Sequence, residues 1–309
     1  WALLSAQDIA MKHKVSRIVC FQYIGEFPKA NIRQYGFLFR GLDQLRTKLE
    51  TLNIEFLLLQ EKAHEALPRI IYERSIGTVI VDHSPLKVYR SRIQRVLEKV
   101  NVPIYQVDTH NIVPTWVTSN KKEYAAYTIR KKIYANLDRY LTDFPKIKRH
   151  PYGVTQAGEE AYDDITSNLK IDYSVKEVKW LKPGEKAAGE RLDTLTDQLD
   201  GYNDNRNDPT KDALSNLSPY FHFGHISTQR VALGIKNSSL RNEDKESFLE
   251  EMIVRRELAD NFCEYEPNYD CFEGFHSWAK KTLNEHRVDE REYLYPKGQF
   301  EEAETHDPL

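Results

Sequence analysis

Two stretches of this sequence carry residues whose types and spacing could do chemistry, and the first is Leu214–Gly224, LSNLSPYFHFG. Ser218 and Pro219 predict a helix start, because serine caps a helix with its side-chain oxygen and proline fits the first turn. Ser215 and Asn216 lie just upstream. Hydroxyls and free backbone N–H groups at a helix start can bind an anion, including the pyrophosphate of a nucleotide cofactor. An ordinary capped helix explains the same residues, so this segment alone leaves both interpretations open.

The second stretch is Ser247–Cys263, whose apolar residues recur at the 3.6-residue period of an α-helix. The predicted apolar face consists of Phe248, Met252, Ala259 and Phe262. Glu251, Arg255 and Leu258 share a stripe, since residues three or four apart lie on one helix face. A carboxylate one turn before an arginine is usually an exposed ion pair. Because Arg256 adds a second cation, the stretch also fits a cavity wall that faces a polar ring and phosphates.

The composition predicts a globular protein of about two domains. The chain has 309 residues, of which 40% are apolar and 29% charged, and its net charge of −3 does not exclude a polyanionic partner.

The three cysteines (Cys20, Cys263 and Cys271) form no CxxC pair, which disfavours a zinc site or a disulfide framework and fits a reducing compartment. His222 and His225 lack a third ligand at suitable spacing, so we predict no metal site. No apolar run reaches the ~20 residues of a membrane span, and we predict no membrane contact.

Residues 1–115 alternate short apolar strands with helices, the pattern of a parallel sheet covered on both faces. Strands are predicted at Arg17–Tyr23, Ile54–Leu59, Thr78–Asp82 and Ile104–Val107. Helices are predicted around the leucines from Leu38 to Leu52, at Glu61–Glu73 and at Leu86–Val100. Ligands of such sheets favour the carboxyl ends of the strands. The absence of GxGxxG and GxxxxGK(S/T) motifs disfavours an ordinary dinucleotide or P-loop site.

Residues 118–150 are strongly basic, with nine Lys and Arg against three Asp and Glu, and tyrosines are interleaved among them. This charge favours phosphate contacts, although a solvated amphipathic helix explains it equally well. An acidic stretch follows, from Glu159 to Asp204. The apolar stripe Ala188, Leu192, Leu195 and Leu199 predicts a helix at Glu185–Leu199, and the remainder of the chain is predicted to be mostly helical.

Taken together, these motifs resemble the photolyase/cryptochrome family, and specifically its class II cyclobutane-pyrimidine-dimer photolyases. The matching pieces are Tyr202 with RNDP (Arg206–Pro209), LSNLSPYFHFGHIS (Leu214–Ser227), EEMIVRRELADNFC (Glu250–Cys263), THDPL (Thr305–Leu309), YGFLFRGL (Tyr35–Leu42), VDHSPL (Val81–Leu86) and VDTHNIVP (Val107–Pro114). Single pieces such as THDPL are weak evidence, but the ordered set covers nearly the whole chain.

The resemblance implies an α/β, Rossmann-like antenna domain followed by an all-α FAD-binding domain. We expect an antenna domain at residues 1–117 that lacks its first strand, a basic interdomain connector at 118–165 and a helical FAD-binding catalytic domain at 166–309. The antenna domain would hold a light-harvesting chromophore, a deazaflavin or a folate. We expect a partial sequence cut at both ends, without the C-terminal part of the flavin domain. In the family, that part supplies the tryptophans of the electron-transfer chain and the asparagine that faces the flavin ring.

The activity that the resemblance implies is light-driven DNA repair, in which reduced FAD gives an electron to a cyclobutane pyrimidine dimer and the ring splits. Residues that would hold the FAD phosphates and ribose are Tyr202, Leu214, Ser215, Asn216, Leu217 and Ser218. Glu251 would contact the flipped-out dimer as a hydrogen-bonding acid, provided that its surroundings keep it protonated. The alternative for Glu251 is an ion pair with Arg255.

Arg206 would contact the DNA backbone near the lesion. Arg255 and Arg256 would line the cavity mouth and face phosphates or bases, and Arg255 is expected to be catalytic together with Glu251. Arg206 could equally be a turn residue paired with Asp204 or Asp208. The expected partner is DNA containing cyclobutane pyrimidine dimers, bound by a monomer, in the nucleus if the parent protein is eukaryotic. One alternative function is a cryptochrome-like blue-light photoreceptor of the same fold without repair activity. Another is an electron-transfer flavoprotein, which would need an N-terminal nucleotide fingerprint that the sequence lacks.

Overall fold

A computed structural model describes residues 1–25, 30–153 and 169–308. The end of the predicted connector, the start of the predicted catalytic domain and Leu309 lie outside the described residues. Strands and helices alternate in the first part of the chain, as predicted. They are α1 (Ala2–His13), β1 (Ile18–Gln22), α2 (Ile32–Thr51), β2 (Glu55–Leu59), α3 (Ala63–Glu73), β3 (Val79–Asp82), α4 (Lys87–Leu97) and β4 (Ile104–Val107).

The strands pair in parallel, but they form two separate two-stranded sheets rather than one sheet of four strands. β1 pairs with β2 from Ile18 opposite Glu55, and β3 pairs with β4 from Val79 opposite Ile104. Helix α1 packs against β3. The central apolar residues of β1 and β3 are only half-buried, although strands of this composition are normally covered on both faces.

Helix α2 is the element that joins the two hydrophobic cores of the larger part of the chain. Asn31 begins it with a capping box, in which its side chain accepts from the backbone N–H of Arg33 while Gln34 accepts from the backbone N–H of Asn31. One face contributes Tyr35, Phe39, Leu42 and Leu49 to the smaller core, around β1 and β2. Phe37, on the opposite face, belongs to the larger core.

The second part of the described chain is helical, as predicted. Its helices are α5 (Thr115–Thr118), α6 (Ala126–Tyr140), α7 (Glu185–Asp193), α8 (Leu195–Gln198), α9 (Tyr202–Asn205), α10 (Ser218–His222), α11 (Thr228–Lys236), α12 (Asn242–Leu249), a π-helix (Glu250–Arg255), α13 (Arg256–Tyr265), a 3₁₀ turn (Phe272–Gly274), α14 (Ser277–Glu285), a second 3₁₀ turn (His286–Val288) and α15 (Lys297–Glu301). The helix predicted at Glu185–Leu199 is interrupted at Thr194. The Thr194 hydroxyl hydrogen-bonds the carbonyl oxygens of Glu190 and Arg191, and such side-chain bonds compete with helical geometry.

The larger core gathers apolar side chains from α6 to the π-helix and includes Leu195, Leu199, Leu217, Ile235 and Ile253, all at most 2% exposed. Ala126, Ile129 and Ile133 of α6 are part of it. The basic segment predicted as a connector from residue 118 therefore contributes a packed helix to this core.

The chain divides into two compact units, Trp1–Tyr265 and Glu266–Leu309. The domain boundaries expected at residues 117 and 165 stay predictions. Phe37 of α2 and Ile129 and Ile133 of α6 pack in the same larger core, which joins the α/β part to the helices that follow. Among the described residues, no helix combines the length and apolar character that a membrane crossing requires.

Candidate functional site

The second chemical stretch folds as a π-helix, Glu250–Arg255, between two α-helices. The prediction of a continuous 3.6-residue period is wrong here, because a π turn accommodates an extra residue. Three consecutive side chains, Met252, Ile253 and Val254, are buried as a result, and Ala259 of the predicted apolar face is exposed. π-Helical turns inside α-helices frequently occur at functional sites.

The charged side chains of this turn pair differently from the i, i+4 scheme. Glu251 binds Arg206, with 2.7 Å between Oε1 and Nη1. Arg255 lies 3.5 Å from Glu250, five residues earlier, which is the spacing of a π turn. The predicted alternatives, Glu251 with Arg255 and Arg206 with Asp204 or Asp208, are therefore replaced by these two pairs.

Glu250 is a site residue that the sequence reasoning missed. Arg130 of α6 holds it with two hydrogen bonds, Nε to Oε2 at 3.0 Å and Nη2 to Oε1 at 2.6 Å. The hydrogen bonds from Arg130 hold the pKa of Glu250 below its usual range. The adjacent pair Glu250–Glu251 before Arg255 was the available signal in the sequence. Local spacing could not indicate that Arg130, 120 residues away, is the partner of Glu250. Arg130 thereby links the basic helix α6 to the π-helix.

Glu251 and Arg206 are both partly accessible, with side-chain exposures of 39% and 29%. A guanidinium at 2.7 Å is the geometry of an ion pair with an ionised carboxylate. A proton-donating role for Glu251 therefore requires Arg206 to leave it first. The guanidinium of Arg206 also lies 6.0 Å from the centre of the Tyr202 ring, so all three predicted site residues are neighbours.

The turn that carries Tyr202 is fixed by a buried carboxylate, Asp244, which the sequence reasoning did not identify. Asp244 accepts hydrogen bonds from the backbone N–H groups of Gly201 (3.0 Å) and Asn203 (2.8 Å), and Arg241 pairs with it at 2.9 Å. Tyr202 then packs edge-on against Phe248, with ring centres 5.4 Å apart, and only 9% of it is exposed.

The first of the two stretches, Leu214–Gly224, forms the short helix α10. The residues that lead into this helix, Leu214–Ser218, are called the α10 entry. Leu217 and not Ser218 is the N-cap residue, so the predicted cap is one residue out, and the helix has only five residues. Asn216 adopts a left-handed φ of 54°, and the Ser215 hydroxyl accepts from the N–H of Leu217 at 3.3 Å. A helix this short adds little dipole, so anion binding would depend on the turn itself and on side chains.

The side chains of this entry divide between core and solvent. Leu217 is fully buried in the larger core, whereas Leu214 is 60% exposed and the Ser218 residue is exposed. Arg191 of α7, also missed, donates from Nε to the Ser215 carbonyl at 2.9 Å. Accessible hydroxyls beside an arginine are groups that can hydrogen-bond a phosphate. Among the described residues, this entry and the Arg206–Glu251 pair share no direct hydrogen bond; they are joined through the larger core.

Arg256 and Arg255 interact with different carboxylates. Burial lowers the pKa of Arg256, and it interacts with the carboxylates of Asp260, Glu257 and Asp108 on the side of the strand ends. The expected DNA contact of Arg256 stays a prediction. Adjacent residues of a helix point in different directions, so Arg255 and Arg256 have different charge partners.

Glu257 and Asp108 anchor the loop that follows β4. Oε1 of Glu257 accepts from the backbone N–H groups of Ile112 (2.8 Å) and Val113 (3.3 Å). Asp108 accepts from the backbone N–H groups of Asn111 and Thr115 in the same loop. Glu257 is 4% exposed, and burial raises its pKa to about 8.

We expect Glu257→Gln to remove a specific pH dependence of stability. Between pH 4.5 and about 8 the unfolded chain loses this proton while the native chain keeps it, so native stability falls as pH rises. The loss across that window is on the order of 3–5 kcal/mol. Glutamine keeps the Oε1 acceptor without the charge, so the variant becomes the more stable protein at high pH. Urea unfolding at pH 5, 6.5 and 8 measures this, with Glu185→Gln on an exposed ion pair as control; parallel curves for Glu257→Gln and the parent would contradict it.

His225 has a structural role. Its Nδ1 accepts from the backbone N–H of Gly184 at 3.0 Å, and its ring stacks on Phe37 with centres 4.9 Å apart. Burial lowers the pKa of His225 to about 4, so the ring is neutral at neutral pH. Within the described ranges, no group of three or more His, Cys, Asp or Glu side chains is arranged to hold a metal ion.

Comparisons with known proteins identify the family of this chain. A family model described as DNA photolyase matches residues 1–149. The deoxyribodipyrimidine photo-lyase of Potorous tridactylus is 44% identical over 314 residues, covering 100% of this chain and 59% of that protein. The deoxyribodipyrimidine photo-lyase of Methanothermobacter thermautotrophicus is 31% identical over 307 residues, covering 99% of this chain and 68% of that protein. The chain thus spans roughly three fifths to two thirds of the length of these relatives.

The fold agrees as well. The crystal structure of an archaeal photolyase from Sulfolobus tokodaii with two FAD molecules matches with a TM-score of 0.64, covering 91% of this chain and 62% of that one. At 15% identity this likeness shows the fold alone. Together with the sequence identity to the photo-lyases along its whole length, it leads to one conclusion: this chain belongs to the DNA photolyase family.

Proposed function

We propose that this chain takes part in light-driven repair of cyclobutane pyrimidine dimers in DNA, with reduced FAD as its cofactor. The observation that carries the proposal is the Arg206–Glu251 pair beside Tyr202, on a π-helical turn of a photolyase-family chain. It combines a partly exposed cation for phosphate and a partly exposed carboxylate for a base with a buried aromatic ring beside them. When bound, FAD supplies the electron that splits the dimer.

In this proposal the entry of α10 holds the cofactor. The hydroxyls of Ser215 and Ser218 and the backbone of the Asn216 turn bind its phosphates and ribose, while Leu214 covers it from the solvent side. Leu217 anchors the turn in the core, since it is fully buried. Tyr202 belongs to the same larger core and is a further proposed cofactor contact, and Asp244 fixes its turn.

The Arg206–Glu251 pair changes partners when DNA binds. A phosphate offers Arg206 a stronger competing anion, because the polyelectrolyte backbone concentrates negative charge. Glu251 is then free to hydrogen-bond a base of the flipped-out dimer. Arg255, which is exposed and only 3.5 Å from Glu250, provides a second phosphate contact at the same mouth. Arg256 stays a predicted DNA contact, and its charge partners lie on the loop after β4 and on α13.

The finer architecture follows the same family pattern. We propose that residues 1–117 form a Rossmann-like antenna domain, whose chromophore would be a deazaflavin or a folate, and that the helices beyond form the FAD-binding catalytic domain. The parallel pairing of β1 with β2 and of β3 with β4, and the packing of α1 against β3, support this proposal.

Flavin content tests the cofactor proposal. We expect the chain purified in the dark to carry FAD, seen in its absorbance spectrum and in the flavin-to-protein ratio after denaturation. Replacing both Ser215 and Ser218 by alanine removes two hydrogen-bonding hydroxyls and is expected to lower FAD affinity about tenfold or more. Ser238→Ala, a serine outside the α10 entry, serves as control. A folded chain that takes up no FAD would overturn the assignment of this site.

We expect Arg206→Met to weaken binding of dimer-containing DNA and to reduce its salt dependence. Loss of one phosphate contact lowers the slope of log K against log salt by about 1. Fluorescence anisotropy at several salt concentrations measures both effects. Arg69→Met, which removes an arginine from an exposed ion pair on α3, is the matched control. An unchanged slope for Arg206→Met would place the DNA phosphates elsewhere.

A further inference from the structure

Helix α6 presents a row of aromatic and basic side chains to solvent. Tyr127, Lys131 and Tyr134 lie at positions i, i+4 and i+7, so they share one face of this helix. Tyr127 is 62% exposed and Tyr134 46%, and Lys131 is exposed between them. The larger core takes a different face of the helix, through Ile129 and Ile133. We call Tyr127, Lys131 and Tyr134 the α6 ridge.

The aromatic rings distinguish this face from an ordinary solvated helix surface. A single exposed tyrosine needs no explanation, but several in a row do. Tyr124, just before the helix, adds a third phenol that is 57% exposed, and its ring centre lies 6.5 Å from that of Tyr127. Tyrosine is enriched in recognition surfaces, because its ring packs against a partner while its hydroxyl forms a hydrogen bond. The α6 ridge therefore has the composition of a binding surface.

The polar groups of the ridge are donors, which favours an anionic partner. In the part of the chain that the structure describes, the Lys131 ammonium has no ion-pair partner, and the Tyr127 and Tyr134 hydroxyls have no hydrogen-bond partner. Asp138 follows Tyr134 by one turn, and Lys236 lies 3.9 Å from its carboxylate and offsets its charge. Lysine and tyrosine side chains are common contacts of DNA phosphates.

The ridge is continuous with the π-helix that carries Glu251. Arg130, one residue before Lys131, holds Glu250 at 2.6 Å, and Arg255 lies 3.5 Å from the same carboxylate. Burial, together with the nearby charge of Glu250, raises the pKa of Tyr134 above its usual range. The Tyr134 hydroxyl therefore stays protonated at neutral pH and can donate to an anion. A strand of DNA whose lesion lies at Glu251 would pass next to this face.

We propose that the α6 ridge binds the phosphate backbone of the DNA duplex beside the dimer. Tyr127 and Tyr134 are two helical turns apart, which is about 10 Å. Three base-pair steps of a duplex cover the same distance, at about 3.4 Å each. Lys131 contacts one phosphate, and the two hydroxyls donate to its neighbours. The ridge rests on the proposed function, since it assumes that the Arg206–Glu251 site receives a dimer in DNA.

Fluorescence anisotropy with a duplex that carries one cyclobutane dimer tests the ridge at several salt concentrations. Lys131→Met is expected to weaken binding about threefold to tenfold at low salt, and to lower the slope of log K against log salt by about 0.9. The double variant Tyr127→Phe/Tyr134→Phe keeps the rings without the hydroxyls, and we expect binding about fivefold weaker or more. The controls Lys186→Met on α7 and Tyr72→Phe on α3 change residues at least as exposed, and we expect unchanged binding.

A dinucleotide that consists of the dimer alone separates backbone contacts from effects on the dimer site. It lacks flanking phosphates, so we expect it to compete for the ridge variants and for the parent with the same affinity. Equal losses for the dinucleotide and the duplex would overturn the proposal, because the variants would then act through the dimer site. FAD content and melting temperature are expected to match the parent, since the changed side chains are exposed.

The remaining outcomes separate the ridge from the function on which it rests. A parent chain that binds no dimer-containing duplex would overturn the proposed function and the ridge with it. A parent that binds, with unchanged affinity and salt slope in the ridge variants, would overturn the ridge alone. Light scattering excludes another occupant: a parent dimer that the ridge variants dissolve would show an interface between copies of this chain, and would also overturn the proposal.

Discussion

Asp244→Ala is expected to lower the free energy of unfolding by about 2–6 kcal/mol, because each of two backbone N–H groups left without an acceptor costs about 1–3 kcal/mol. Asp244 is fully buried, and its removal leaves the N–H groups of Gly201 and Asn203 without acceptors. Arg241 loses its closest carboxylate at the same time. The turn that positions Tyr202 loosens as a consequence, so FAD affinity is expected to fall together with stability.

Urea denaturation and flavin content measure these two effects. Asp244→Asn retains one acceptor oxygen and is expected to lie between the parent and the alanine variant. Asp204→Ala is the matched control, since Asp204 also binds Arg241 but is 63% exposed, and surface pairs contribute less than about 1 kcal/mol. Equal losses for Asp204→Ala and Asp244→Ala would show that the buried network does not hold this turn.

The second large effect is expected from Gly41→Ala on α2. A Cβ atom at Gly41 would lie 2.1 Å from Nε2 of His225, so the two elements cannot keep their present separation. The imidazole cannot easily retreat, because it stacks on Phe37 and accepts from the N–H of Gly184. Overpacking of this kind costs about 1–3 kcal/mol, and occasionally more. It also displaces α2, which serves both hydrophobic cores.

Gly189→Ala provides the control, since Gly189 lies inside helix α7 and a Cβ atom there meets nothing within 4 Å. That substitution is expected to stabilise by up to about 1 kcal/mol through helix propensity. In a double-mutant cycle, His225→Ala should largely suppress the loss of stability caused by Gly41→Ala, because it removes the imidazole that the new Cβ atom would meet. Additive losses in that cycle would show that the close approach of Gly41 and His225 is not the cause.

Local patterns were enough to predict the alternation of strands and helices, because each strand is a short apolar run and each helix has a regular stripe. Helix α2 illustrates this, with Leu42 and Leu49 on the buried side. The pairing of strands depends on tertiary contacts, and the sequence did not indicate two separate sheets. The π turn could not be predicted from the sequence for a different reason. Met252, Ile253 and Val254 are consecutive and apolar, so they fit an α-helical and a π-helical period equally well.

The candidate site shows the same division between local and long-range information. Tyr202, Arg206 and Glu251 were predicted as site residues, but the bond between Arg206 and Glu251 spans 45 residues and competed with local alternatives. Asp244 was missed because an aspartate in the first turn of a helix is normally an exposed capping residue. Its burial depends on the turn at Gly201, which the fold brings to it.

The most direct test of the proposed function is light-dependent repair by the FAD-loaded chain. An oligonucleotide with one cyclobutane thymine dimer is bound to the reduced protein, and intact thymines are measured after blue light and after an equal time in the dark. We predict repair in the light only, strongly reduced in Glu251→Ala and unchanged in the exposed control Glu185→Gln. A chain that binds both FAD and the dimer but restores equal amounts in light and dark would contradict this function.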